Sequence, residues 1–239
     1  MRFSLITVLL CATFVAPLLL SAEAPKFALE VKHQQLELSL NATKIPLTTK
    51  WTGADAVALG SVQRVDGIAG VSAQLVTFSL PGAAHTSRAL TVLLTKSAPS
   101  DAWTVQREWI ADTCEDDSGT KDESQAISAD AAGVITRCVH RLNVENISYE
   151  LPCKCCTALQ TRTMETQEDE TLSWNATTKS FERRTFRKWY ITQPGEGLTN
   201  VARKALGDPT RLSRLYTLNP DLRQATTLAD GQKVLVEKL

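Results

Sequence analysis

Residues 189–236 read WYITQPGEGLTNVARKALGDPTRLSRLYTLNPDLRQATTLADGQKVLV, and the reading of this stretch sets the expected fold. Trp189, Tyr190, Ile191 and Thr192 make a short strand, and the proline and glycines of 193–197 turn the chain. Leu198, Val201, Ala202, Ala205 and Leu206 recur at i, i+3, i+4, i+7 and i+8, the apolar stripe of an amphipathic helix. Gly207 follows as its C-cap, because glycine enters the left-handed region without a Cβ clash. Asp208 and Pro209 predict the next N-cap and first helical position. Leu212, Leu215 and Tyr216 give the second helix its buried face, and Asn219 before Pro220 ends it. Lys233, Val234, Leu235 and Val236 close the segment as a strand, so the order is β-α-α-β.

Outward from this segment the periodicity changes from 3.6 to 2. Phe27, Leu29 and Val31 alternate with polar or small residues, and Leu36, Leu38 and Leu40 alternate again, the mark of strands with one buried face. Further strand-like runs lie at 56–65, 71–80, 89–95, 103–110, 134–144 and 147–151. Residues 171–174 and 180–183 flank the polar run 175–179 as a hairpin. Strands parted by Gly, Pro and Asp turns predict a sandwich or barrel. The expected fold class is therefore α+β overall: a mainly-β N-terminal domain at 25–187, then a small βααβ unit at 188–239. The charge divides the same way, eight basic against five acidic groups in 188–239 and 17 against 21 in 23–187.

The C-terminal segment resembles the LysM (lysin motif) family. The resemblance rests on Tyr190 and Ile191 before Pro194, Gly195 and Glu196, on Leu198, Val201 and Ala202, on Gly207 and Asp208, on Leu215, Leu218, Asn219 and Pro220, and on Leu228, Gly231, Gln232, Leu235 and Val236. It covers about a fifth of the chain. It implies a βααβ, LysM-like unit that binds glycans containing N-acetylglucosamine, such as peptidoglycan or chitin. It also implies a sugar groove between two loops, which here are Gly195, Glu196, Gly197 and Leu198, and Asn219, Pro220, Asp221 and Leu222. Two positions depart from the family pattern: Gly197 stands where Thr or Ser is usual, and the last strand ends Val236-Glu237 without the customary proline.

The first residues suggest export. Arg2 precedes a charge-free apolar run, 3–20, and small residues follow it, as in a secretory signal. Cleavage after Ala24 fits the small-x-small rule but leaves Pro25 next; cleavage after Ala22 makes the signal peptide 1–22. An uncleaved anchor is the alternative, because the run approaches the ~18 residues that begin to span a bilayer. Pro17 interrupts it, and no second run of that length exists, so no membrane span is expected after cleavage. In an oxidising compartment Cys114, Cys138, Cys153, Cys155 and Cys156 predict two disulfides and one leftover thiol.

Other chemistry finds thinner support. Twenty-six basic and 26 acidic groups cancel, which removes the global basic excess that a nucleic-acid binder would carry. Cys138, His140 and the 153–156 cysteines are soft metal ligands, but the paired two-residue spacing of a zinc site is missing, so no metal is expected. Residues 112–130 hold seven acids, yet with Gly119 at the turn position of a calcium loop Cys114 and Gln125 fall where acidic ligands belong. That stretch is expected to be a solvated loop. No serine sits in a nucleophile elbow, and no catalytic residue or cofactor is assigned. The expectation is an exported, non-catalytic envelope protein, secreted or periplasmic, that binds peptidoglycan or a chitin-type glycan. The alternatives are a cell-wall hydrolase with its active site in 25–187 and a secreted adaptor whose LysM-like segment has lost its sugar.

Overall fold

The computed structural model describes residues 26–32, 35–40, 43–50, 57–81, 86–98, 100–116, 119–150, 157–225 and 227–239. The expected signal peptide and Cys153, Cys155 and Cys156 lie outside the described residues. Strands β1 (Phe27–Lys32), β2 (Gln35–Leu40) and β3 (Thr43–Lys50) form a three-stranded antiparallel sheet in chain order. A second, nine-stranded antiparallel sheet runs from β4 (Ala58–Val65) through β5 (Ser72–Pro81), β6 (Thr86–Lys96), β7 (Thr104–Asp116), β8 (Gly119–Ala129), β9 (Ile135–Glu150), β10 (Thr157–Asn175) and β11 (Ser180–Ile191). Its last strand is β12 (Lys233–Lys238), beside β11. Helices α1 (Leu198–Leu206) and α2 (Leu212–Leu218) and a 3₁₀ turn, Pro220–Gln224, connect β11 to β12.

The protein is thus mostly β, not the expected α+β with an appended βααβ unit. The first strand of that unit is the end of β11, which is 12 residues long and pairs with β10 from Asn175↔Ser180 to Glu165↔Ile191. The two helices are an excursion from one edge of the large sheet. Local patterning cannot reveal this, because the ladder partner on the far side of β11 is chosen by register, not by neighbouring residues.

Three further expectations change. The expected loop is strand at 112–116, the end of β7, and at 119–129, all of β8, which pairs with β9 from Gly119↔Glu145 to Ala129↔Ile135. Their alternating polar side chains satisfy a strand whose exposed face can be charged. The two separate runs expected at 134–144 and 147–151 are joined, over Ile135–Glu150, in one strand, β9. Asp208 does not cap α2. Its Oδ1 accepts from the Thr210 amide at 2.8 Å and closes a turn, and the helix begins three residues later than expected, at Leu212. By contrast α1 starts and stops where its stripe and Gly207 placed it, with Gly207 at φ +71°.

The core explains why β5 and β6 read as near-continuous apolar runs. Val76, Phe78, Leu80, Leu90, Val92 and Leu94 face the three-stranded sheet and pack with Phe27, Leu29, Leu36, Leu38, Leu40 and Ile45. Leu75 and Leu93 point the other way, into a cluster with Trp109, Ile135, Leu172 and Phe181. Strands covered on both faces lose the polar-apolar alternation. The second cluster needs β4–β7 to fold over β9–β11, and the ladder allows it: β7 pairs with β8 only at Cys114, Glu115 and Asp116. Beyond that tip the sheet opens, and the two halves close face to face. A third cluster, around Tyr190, Val201, Leu215 and Val234, lies under the two helices.

Candidate functional site

The residues singled out by the sequence lie on the excursion between β11 and β12. Thr192, fully buried, knots its two ends: its amide donates to Gln232 O at 3.1 Å, and its carbonyl and hydroxyl accept from the amides of Gly231 (2.9 Å) and Gln232 (3.0 Å). The chain then turns through Gly195, whose φ of +75° lies in the left-handed region that favours glycine. The Glu196 amide donates to Gln193 O at 3.1 Å, and the Gln193 amide donates to Glu196 Oε2 at 2.9 Å. Gly197 caps α1 without a side chain, and its carbonyl accepts from the amides of Asn200 and Val201.

Glu196 is buried, at 7 % exposure, and its carboxylate is used inside the protein. It accepts from the Tyr190 hydroxyl at 2.9 Å and from Lys204 Nζ. Burial opposes its charge, but the bonds from Lys204, the Gln193 amide and Tyr190 outweigh that and hold its carboxyl below the usual range. Burial and this same carboxylate push the Tyr190 hydroxyl far up. Lys204 also donates to Thr163 O of β10 at 3.2 Å, and Met164 packs into the cluster under the helices.

The second loop is clamped by Asn219. Its Nδ2 donates to Leu215 O at 2.9 Å and Leu235 O at 2.8 Å, and its Oδ1 accepts from the Leu235 amide at 2.8 Å. Leu198 and Leu222 sit in the same apolar cluster, 8 % and 9 % exposed. Of the eight expected groove residues, Gly195, Pro220 and Asp221 are exposed, Gly197 and Asn219 half-buried, and Glu196, Leu198 and Leu222 buried. The buried side chains build the loops; what the loops offer outward is backbone and the exposed positions. A Cβ added at Gly195 or Gly197 would meet nothing within 4 Å.

No family model, curated protein or solved structure matches this chain.

The remaining candidates are dispersed. Cys114, on β7, stands opposite Lys121, and Cys138, on β9, opposite Asp169; both are free thiols. Burial, then the neighbouring Asp169, raises the Cys138 thiol, which keeps it protonated rather than nucleophilic. His140 Nε2 lies 2.7 Å from Glu165 Oε1, and Gln193 Nε2 donates to Glu165 Oε2 at 3.4 Å.

Two features escaped the sequence. Between β3 and β7 runs a groove of about 580 Å³, lined by Ile45, Pro46, Thr48 and residues 103–108. Glu108 spans its floor: the Thr48 and Thr49 amides each donate to its carboxylate at 2.8 Å. Among strands the second is a buried ion cluster at Glu170, 4 % exposed, which accepts from Arg137, Arg183 and Trp109. No local signal in the polar run Gln167, Glu168, Asp169 and Glu170 marks the last as interior.

Proposed function

We propose that this is an exported, non-catalytic envelope protein that binds N-acetylglucosamine-containing glycan, peptidoglycan or a chitin-type polymer, through loops 194–198 and 219–223. The reading starts from the LysM-like residues of these loops. One observation supports it above the others: each loop is held from within by one side chain, the buried Glu196 in the first and the half-buried Asn219 in the second, while Gly195, Pro220 and Asp221 stay exposed. Loops fixed in this way present backbone amides and carbonyls to a ligand at little ordering cost. Recognition rests on those backbone groups, because Glu196 and Asn219 are engaged internally. A site of this size binds short oligosaccharides in roughly the micromolar to millimolar range.

The test is an NMR titration of the mature chain with chitin oligosaccharides and, separately, with soluble peptidoglycan fragments. Amide shifts confined to 194–198 and 219–223 are the expected result. If neither ligand moves them at millimolar concentration, the segment is a protein-contact element and the adaptor reading replaces this one. Clearing of a cell-wall suspension by the same protein would instead favour the hydrolase.

A further inference from the structure

The two ends of the nine-stranded sheet are built differently. At one end β12 alternates Lys233, Leu235 and Glu237 with the buried Val234 and Val236 and finishes on Lys238, and edge charges of this kind discourage pairing with another chain. At the other end β4 pairs, among the described residues, with β5 alone. Seven of its eight residues, Ala58 to Arg64, are exposed, and it carries no proline, lysine or acid. Leu59 and Val62 are 48 % and 43 % exposed, unlike any other large apolar side chain described except the C-terminal Leu239.

The bulge at Gly60 puts these two side chains on one face. Leu59 stands opposite Phe78 and Val62 opposite Val76, and both partners face the three-stranded sheet. Leu59 and Val62 therefore extend that core to an open margin, where β1 lies over β4. The charge pattern suits a second copy. In an antiparallel pair of β4 strands centred on Val62, the single cation, Arg64, faces Gly60 of the other copy, and no like charges meet. That register also sets the two Val62 side chains against each other and covers them.

We infer that two copies of this chain associate through β4, joining their sheets edge to edge about a two-fold axis at Val62. One strand pair is a small interface, on the order of 1,000 Å² or less in total, so the dimer dissociates in roughly the 10–100 μM range. On the glycan reading above, a dimer presents two weak sites to one polymer and gains avidity without a new contact. The association itself does not depend on that reading.

Sedimentation of the mature chain across this concentration range tests it without any sugar. A shift toward twice the monomer mass is expected, abolished by Val62→Lys with an unchanged melting profile. Directly opposed Cα atoms lie within reach of a disulfide, so Val62→Cys should oxidise to a linked dimer whose digest contains two copies of the peptide around position 62. A monomer throughout, a dimer indifferent to Val62→Lys, or no such peptide on oxidation would each overturn the inference.

Discussion

The indole Nε1 of Trp109, on β7, donates to Glu170 Oε1, on β10, at 3.3 Å across the closed sheet. Arg137 Nη1 reaches the same oxygen at 3.2 Å, and Arg183 Nε reaches Oε2 at 2.9 Å. Strands separated by the opening between β7 and β8 are thereby tied through one interior carboxylate.

Removing that carboxylate strands Arg137, itself only 9 % exposed. Glu170→Ala should cost about 3–5 kcal/mol, the usual consequence of breaking a buried pair from one side. Arg183→Ala should cost about 1 kcal/mol or less, because its side chain is 46 % exposed. Denaturant unfolding of the two variants gives the comparison; equal losses would show that Glu170 is not the keystone of the cluster.

The Glu196 carboxyl sets a pH dependence whose sign is definite. Its folded pKa lies below the ordinary 4.5, so its contribution to stability is complete above that value and is lost as pH falls through the folded pKa. Helical circular dichroism, which reports α1 and α2, should therefore weaken on acidification below about 4.5 before neutral conditions show any change. Glu196→Gln should lower stability at pH 7 and flatten that part of the acid response. An acid profile identical to the parent's would remove Glu196 from the account.

Asn219 makes three bonds that no shorter side chain can copy. Asn219→Ala leaves the Leu235 amide and two carbonyls without it, a loss of about 2–3 kcal/mol by thermal melting. Asn219→Asp keeps the acceptor for the Leu235 amide but sets a carboxylate oxygen against the Leu215 and Leu235 carbonyls, and should be no more stable than the alanine variant at pH 7.

Two glycines of the first loop should respond in opposite directions. Gly197 has extended backbone, φ −105° and ψ 169°, with free space around it, so Gly197→Thr fits and adds a hydroxyl cap to α1, worth a few tenths of a kcal/mol. Gly195→Val has equal space but must enter φ +75°, a strain of about 1–3 kcal/mol for a branched residue. Melting temperatures and the glycan titration, run on both, should rise or hold for the first and fall for the second.

Much of the fold was legible wherever the deciding interactions are local. Alternation in 27–31 and 36–40, the stripe and Gly207 of α1, and the hairpin around 175–179 each depend on residues a few positions apart, and each stands where the sequence placed it. The start of α2 was missed because Asp208 found a nearer donor in Thr210. Of the candidate loops, the turn at Gly195 was readable from its glycine, whereas the inward commitment of Glu196 to Tyr190 and Lys204 was not.

By itself the sequence determined a β-rich chain with two short helices near its end, because burial periodicity and caps are written into neighbouring residues. Only the tertiary structure decided that β11 serves both the sheet and the helical excursion, that 112–116 and 119–129 are strand, and that Glu170 is interior. The reason is distance along the chain. A strand's partner and a carboxylate's desolvation depend on what lies opposite, and for Trp109 and Glu170 that is 61 residues away.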